Sequence, residues 1–297
     1  MSAAAAPARA RAVTSSSGRG PSRKSGPGRI VAFVILILMA IAWLLPFLWA
    51  VDTALKTEED AASENPSWIP ANGFTLDSFR DVLEVGNVPI WMWNSLLTSV
   101  LITAITVAIS ALAAYAFSRI DFGGRRWLYG VVIASIVVPG QVLIIPLYYE
   151  MLALGLVDTY WGLILPQVIH PAMVFILKLF FDQVPVELDD AARIDGAGRG
   201  RIFWSIALPL SRPILASVSI FVFIGAWNNF LWPFLIITDT ALMTLPVGLQ
   251  TVISAYGIVY SQVMAQAVLA VLPLIVVFLV FQRQVIKGVA TSGFGGT

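Results

Sequence analysis

Residues 185–213 read PVELDDAARIDGAGRGRIFWSIALPLSRP and form a polar segment between two long apolar stretches. Between positions 182 and 212 the chain carries five acidic residues and four arginines. The flanking stretches 159–177 and 213–238 carry no Asp, Glu, Lys or Arg. A charged segment of this size must lie in water, and it separates two stretches long enough to cross a bilayer.

The composition of the whole chain indicates a membrane protein. Of its 297 residues 58% are hydrophobic and only 12% are charged, whereas a soluble domain has roughly 25% charged residues. Lipid-exposed segments must satisfy their own backbone hydrogen bonds, so we interpret the apolar stretches as helices; the short alternating segments of a porin-type barrel are absent. The predicted fold class is therefore all-α, with six transmembrane helices at about 30–51, 90–117, 127–149, 161–181, 213–237 and 262–282.

The distribution of positive charge predicts the orientation. Six spans place both termini on one side, and sixteen of the 18 Lys and Arg residues fall on that side, together with the 185–212 loop. The positive-inside rule then predicts that both termini and this loop are cytoplasmic. Residues 1–29 are expected to be a disordered basic tail, 30–286 the six-helix transmembrane domain and 287–297 a cytoplasmic tail. The acidic loop 52–86, on the opposite side, either helps to seat a partner or is only solvated.

Several classes of function are excluded by what the sequence lacks. It has no cysteine and only one histidine, which excludes thiol chemistry and any multi-histidine metal site. It contains no phosphate-binding G-x-x-x-x-G-K-[ST] motif and no Ser/His/Asp constellation. The predicted spans carry only His170 and Lys178 as ionisable groups, which is too few for a proton or sodium relay. We therefore expect no enzyme site, and energy supplied by another protein.

The 185–213 segment has the signals of a water-exposed helix. Pro185 can begin it, acidic residues follow in its first turns, and Gly196 or Gly198 can end it in left-handed geometry. Leu188, Ala191, Ala192 and Asp195 follow at helical spacing and define one small, partly apolar face. From spacing alone, this helix either docks a partner or only connects two spans at the membrane surface.

The segment resembles the signature loop of ABC-importer permease subunits, which is E-A-A, three residues, Gly, nine residues and I-x-L-P. Asp190-Ala191-Ala192, Gly196 and Ile206-Ala207-Leu208-Pro209 match its spacing, with Asp190 where the family usually has Glu. Further stretches are similar to the carbohydrate-uptake, maltose-type branch of the family. They are Asn94-Ser95-Leu96, Tyr115-Ala116-Phe117-Ser118-Arg119, Phe122-Gly123, Ile145-Pro146-Leu147, Asp195-Gly196-Ala197 and Trp227-Asn228-Asn229-Phe230-Leu231-Trp232-Pro233.

The resemblance implies a type I importer permease in a bacterial inner membrane, with no cofactor in this chain and no nucleic-acid partner. A cytoplasmic ATP-binding subunit dimer would hold ATP-Mg, a second homologous permease would complete the pore, and an extracytoplasmic binding protein would deliver a sugar, a di- or oligosaccharide. The 185–212 loop would couple the ATPase to transport. The expected coupling residues are Leu188, Asp190, Ala191, Ala192, Arg193, Asp195, Gly196 and Ala197.

Polar residues within spans 4 and 5 are candidates for the substrate path, because a sugar needs hydrogen-bond partners and aromatic faces in a cavity lined by irregular helices. Pro171 predicts a kink in span 4. His170 has the alternative of a packed, hydrogen-bonded side chain, and Asn228 that of a helix–helix contact. The candidate path residues are Gln167, His170, Trp227, Asn228 and Asn229.

Two other functions remain open from the sequence. One is an ABC importer for another solute, such as glycerophosphodiesters, amino acids or polyamines, which uptake of labelled solutes would distinguish. The other is a membrane scaffold or channel that works without an ATPase. Co-purification of a P-loop ATPase with the tagged protein would exclude this second alternative.

Overall fold

The computed structural model describes residues 27–84, 87–256 and 258–293, and all regular structure within them is helical. The chain forms two compact units, Met1–Phe47 and Leu48–Thr297. The predicted tail 1–29 lies mostly outside the described residues, but positions 27–29 already belong to the first helix. The described part of the first unit is the beginning of that helix, α1 (Pro27–Ala54).

Two short helices precede the central helix of the second unit. The segment after α1 contains α2 (Glu58–Ala61) and α3 (Asp77–Glu84), so part of the predicted 52–86 loop is folded. Helix α4 (Val88–Arg119) follows, with a proline in its first turn and an arginine in its last. One face of α4 is lined by small and polar side chains, which allow neighbouring helices to approach closely. Its buried polar residues are Asn94, Ser95, Thr98, Ser99, Thr106 and Ser110.

The two segments predicted as spans 3 and 4 are bent, not straight. Helix α5 (Arg125–Ile136) meets Gly140–Ala153, a 3-10 turn followed by α6 (Ile144–Ala153), at 96°, because Pro139-Gly140 interrupts the helix. The predicted span 127–149 is therefore not one continuous helix, and α6 continues past its predicted end to Ala153. Helices α7 (Tyr160–Ile164) and α8 (Pro171–Gln183) meet at 49°, with a 3-10 turn between them, which confirms the predicted kink at Pro171.

The polar segment forms α9 (Val186–Ile194), then α10 (Arg199–Ile202), a π-helical turn and α11 (Leu208–Leu210). A 78° bend leads into α12 (Arg212–Trp227). The predicted helix 213–237 ends early, at Trp227. A break at 228–230 separates it from α13 (Leu231–Ile236).

Two helices complete the described chain. The predicted loop 238–261 contains α14 (Leu245–Tyr256), because Pro246 lies in its first turn, where a proline is tolerated, and does not break it. Helix α15 (Tyr260–Gly293) extends beyond the predicted 262–282 in both directions. Among the described residues, three helices are long and apolar enough to cross a membrane alone, and the three bent pairs raise the number of candidate crossings there to as many as six.

Candidate functional site

Helix α9 ends in a Schellman motif that requires a glycine. The N–H of Ala197 donates to the carbonyl of Ala192, and the N–H of Gly196 donates to the carbonyl of Arg193. Gly196 has a φ of +80°, a conformation that favours glycine. The structure thus confirms the predicted helix and its left-handed end, and it fixes where the chain turns away from α9.

The two adjacent acids of α9 face opposite environments. Asp189 is only 3% exposed and lies 3.8 Å from the guanidinium of Arg119, at the end of α4. Asp190 is exposed and pairs with Arg193 over 3.4 Å within the same helix. An acid held by a buried arginine fixes the position of α9, while the exposed acid remains accessible to a partner.

The outward face of α9 contains most of the predicted coupling residues. Leu188, Asp190, Ala191, Arg193, Asp195 and Gly196 are exposed, whereas Ala192 and Ala197 are partly buried against the core. Ile194 is 87% exposed on the same short helix, yet it is not among the residues chosen from the sequence. Its spacing, four residues after Asp190 and three after Ala191, could have identified it.

The end of α4 contacts both α9 and the end of α8. The guanidinium of Arg119 donates to the carbonyl of Phe181 over 2.6 Å and also to the carbonyl of Val184, both at the end of α8. Beside it, the hydroxyl of Ser118 donates to Asp182 over 2.7 Å. Arg119 therefore joins three elements, α4, α8 and α9, through one buried cation.

Three of the five predicted path residues line one cavity. Gln167, His170 and Asn229 surround a space of about 240 Å³ between α4, α8 and α12. The side-chain amide of Asn229 donates to Oε1 of Gln167 over 2.6 Å, and Nε2 of Gln167 donates to the carbonyl of Leu163. The walls are otherwise mainly apolar, so a few polar groups are presented on an apolar surface, as in many ligand sites.

The other two predicted path residues lie elsewhere. The side chain of Trp227 is buried, stacks on Phe223 with ring centres 5.9 Å apart, and donates its indole N–H to the carbonyl of Ala270 in α15. Asn228 is exposed and donates to the carbonyl of Ile224 in its own helix. Neither residue lines the cavity with Gln167 and Asn229.

A third polar cluster holds the segment 240–245 against the beginning of α4. Asn94 is 1% exposed and donates both amide hydrogens, to the carbonyls of Ala241 and Met243, each over 2.9 Å. Its Oδ1 accepts a 2.7 Å hydrogen bond from the hydroxyl of Tyr160. The hydroxyl of Ser95 accepts from the N–H of Leu245. The sequence marked these positions only through the family resemblance.

The described residues contain no group of three or more His, Asp or Glu side chains placed to hold a metal ion. Within these same ranges, the candidate features are the exposed face of α9, a mainly apolar cavity with a few polar groups, and the segment 240–245 held against α4.

Apolar helices with a cavity among them and an exposed, charged helix at one end are typical of a membrane permease subunit. The chain belongs to the family of inner membrane components of binding-protein-dependent transport systems, which residues 107–291 match. It is 37% identical to the arabinooligosaccharides transport system permease protein of Halalkalibacterium halodurans, over 75% of this chain and 80% of that protein. It is 35% identical to the trehalose/maltose transport system permease protein of Thermococcus litoralis, over 90% and 97% of the two chains.

A solved structure shares the fold. A chain from the crystal structure of a bacterial ABC transporter involved in the import of the acidic polysaccharide alginate superposes with a TM-score of 0.77. The match covers 88% of this chain and 98% of that chain at 21% sequence identity.

Proposed function

We propose that this chain is a membrane-spanning permease subunit of an ATP-driven, binding-protein-dependent importer for a sugar. It crosses the bacterial inner membrane six times, with the bent helix pairs each counted as one span, and both termini are cytoplasmic. The asymmetry of its Lys and Arg residues supports this orientation. Its relatives are permease proteins of arabinooligosaccharides and trehalose/maltose transport systems, which supports a di- or oligosaccharide as the substrate.

The outward face of α9 is the surface for the ATPase. Leu188 and Ile194 supply apolar contacts, while Asp190 and Arg193 supply charge at the edge. This chain holds no nucleotide itself; the partner ATPase dimer binds ATP-Mg and moves α9 when it closes. Because Arg119 connects α9 to the ends of α4 and α8, a movement of α9 is transmitted to these two helices.

The cavity at Gln167 and Asn229 is one wall of the sugar path. Its volume of about 240 Å³ is smaller than the roughly 300–1,000 Å³ of sites that enclose a drug-sized ligand. A second, homologous permease therefore completes it. Amide groups suit a sugar because they both donate and accept hydrogen bonds and stay neutral in the membrane. An extracytoplasmic binding protein delivers the sugar to the pair.

The observation that carries the proposal is the exposure of Ile194 on a helix whose opposite face is anchored by the buried Asp189. The test is to purify the tagged chain from its own host in mild detergent and to look for a P-loop ATPase. Ile194→Asp should lose the ATPase while the chain still inserts in the membrane. Ile69→Asp is the matched control, because Ile69 is 80% exposed in the loop predicted to lie on the other side. If no ATPase accompanies the unmodified chain, the proposal fails.

A further inference from the structure

Helix α4 is tied to other elements at both ends. Near its beginning, the amide of Asn94 uses all its hydrogen-bonding groups to join the 240–245 segment and Tyr160 of α7. At its end, Arg119 joins α8 and the docking helix α9. The two ties involve residues far apart in sequence, so each connects α4 to a separate part of the fold.

The helix between these ties is continuous. It runs for 32 residues, about 48 Å at 1.5 Å per residue. After Pro89 in the first turn it contains neither proline nor glycine, the usual causes of a kink. The neighbouring pairs α5/α6, α7/α8 and α11/α12 bend by 96°, 49° and 78°. A displacement applied to one end of a bent pair can be absorbed at its bend, whereas α4 passes it on along its axis.

We propose that α4 is a rod that carries the movement of α9 to the 240–245 segment, with Arg119 and Asn94 as positioning residues at its two ends. The inference rests on the proposed function, which puts the ATPase at α9 and the binding protein on the opposite side of the membrane. The two residues that transmit the movement are Arg119 and Asn94. Because such coupling is reciprocal, a binding protein that displaced the 240–245 segment would also act on α9 through the same helix.

The test uses the complete transporter in lipid, with its second permease, ATPase and binding protein. Asn94→Leu removes the tie at 240–245 but touches neither α9 nor the cavity. We expect unchanged basal ATP hydrolysis, and a loss of about tenfold in the stimulation by sugar-loaded binding protein, because the two hydrogen bonds to the 240–245 segment and the one from Tyr160 are removed. Thr98→Val is the matched control, because Thr98 is buried on α4 but bonds only to carbonyls of its own helix.

A labelling experiment measures the transmission directly. The chain has no cysteine, so Met243→Cys, at a position that is 8% exposed, introduces a single reporter in the clamped segment. Trapping the ATPase with ADP and vanadate should change the labelling rate of this cysteine by a membrane-impermeant maleimide. Asn94→Leu and Arg119→Met should each abolish that change. If the labelling rate still responds to trapping in both variants, α4 is not the rod. If no ATPase is present in the purified complex at all, the proposed function fails instead.

Discussion

The side chains of Asn229 and Gln167 are joined by a 2.6 Å hydrogen bond, although they lie 62 residues apart. Each residue sits where its span is interrupted, Asn229 in the break after α12 and Gln167 in the 3-10 turn before α8. Interrupted helices are where transporters place their substrate groups, because irregular backbone is tolerated where it lines a cavity. The pair therefore marks the polar part of the cavity wall.

Replacement of Asn229 by alanine should weaken sugar uptake. The change removes the amide that holds Gln167 and that faces the cavity, so we expect the KM for uptake to rise about tenfold, the effect of losing one to two net hydrogen bonds. Uptake of labelled sugar into cells or proteoliposomes measures it. Asn228→Ala is the control, since that neighbour bonds only within its own helix. An equal loss in both variants would contradict the assignment.

Alanine substitution of the two neighbouring acids of α9 should change the stability of the subunit by different amounts. Asp189→Ala leaves the buried Arg119 without its carboxylate, and breaking a buried pair typically costs about 3–5 kcal/mol. Asp190→Ala removes an exposed pair worth about 0–1 kcal/mol. Thermal unfolding of the purified subunit should therefore show a clear loss for Asp189→Ala alone.

Retention of the ATPase gives the complementary result. Asp190→Ala should reduce the amount of ATPase that co-purifies, although the subunit remains stable. The double variant Arg119→Met/Asp189→Leu should recover part of the stability lost in Asp189→Ala, because it removes both buried charges together but also the hydrogen bonds from Arg119 to the carbonyls of Phe181 and Val184. If Asp190→Ala destabilises the subunit as much as Asp189→Ala, the division of α9 into a buried and an exposed face is incorrect.

Local features of the docking helix were predictable from the sequence, because their signals are local. Proline at the start, acids in the first turn and glycine two residues after the end specify α9 almost by themselves. The kink at Pro171 follows equally from the missing N–H of proline. The same reasoning applied to Pro139-Gly140 would have predicted the bend between α5 and α6.

Long-range pairs were not predictable in this way. Asn94 contacts carbonyls 147 and 149 residues away, and nothing in the local pattern of either segment specifies the other. Trp227 shows a second limit of prediction from the sequence. An indole suits a sugar path and a helix–helix contact equally well, and only the packing of α12 on α15 places its N–H on the carbonyl of Ala270.

Gly248 should not tolerate a side chain. A Cβ at this position of α14 would lie 2.1 Å from the indole of the buried Trp91, so Gly248→Ala must displace the helix from α4. Overpacking of this kind costs roughly 1–3 kcal/mol, which thermal unfolding in detergent measures. Gly130→Ala in α5 is the control, because no atom lies within 4 Å of its added Cβ. Equal unfolding temperatures for the two variants would show that α14 does not pack closely on Trp91.

Asp158 should make the link between the loop before α7 and the segment after α13 sensitive to acid. Its carboxylate accepts hydrogen bonds from the hydroxyl and N–H of Thr238 and from the N–H of Asp239. The bond from the Thr238 hydroxyl is the main cause that lowers the pKa of Asp158, with the two backbone bonds adding to it. Because the folded pKa is lowered, this link stabilises the protein above the unfolded pKa of about 3.9 and is lost as the pH falls through the folded value.

The comparison of the unmodified chain with Asp158→Asn isolates this effect. Asn tolerates the φ of +56° found at position 158, so the substitution changes the charge without adding backbone strain. Unfolding temperatures measured between pH 7 and pH 3 should differ by a constant amount above about pH 5, and the difference should shrink between about pH 4 and pH 3 as the pH falls towards the lowered pKa of Asp158. Asp77→Asn, at an exposed carboxylate at the start of α3, controls for the general effect of losing one acid. A difference between the unmodified chain and Asp158→Asn that stays constant down to pH 3 would show that the ionised carboxylate does not hold Thr238.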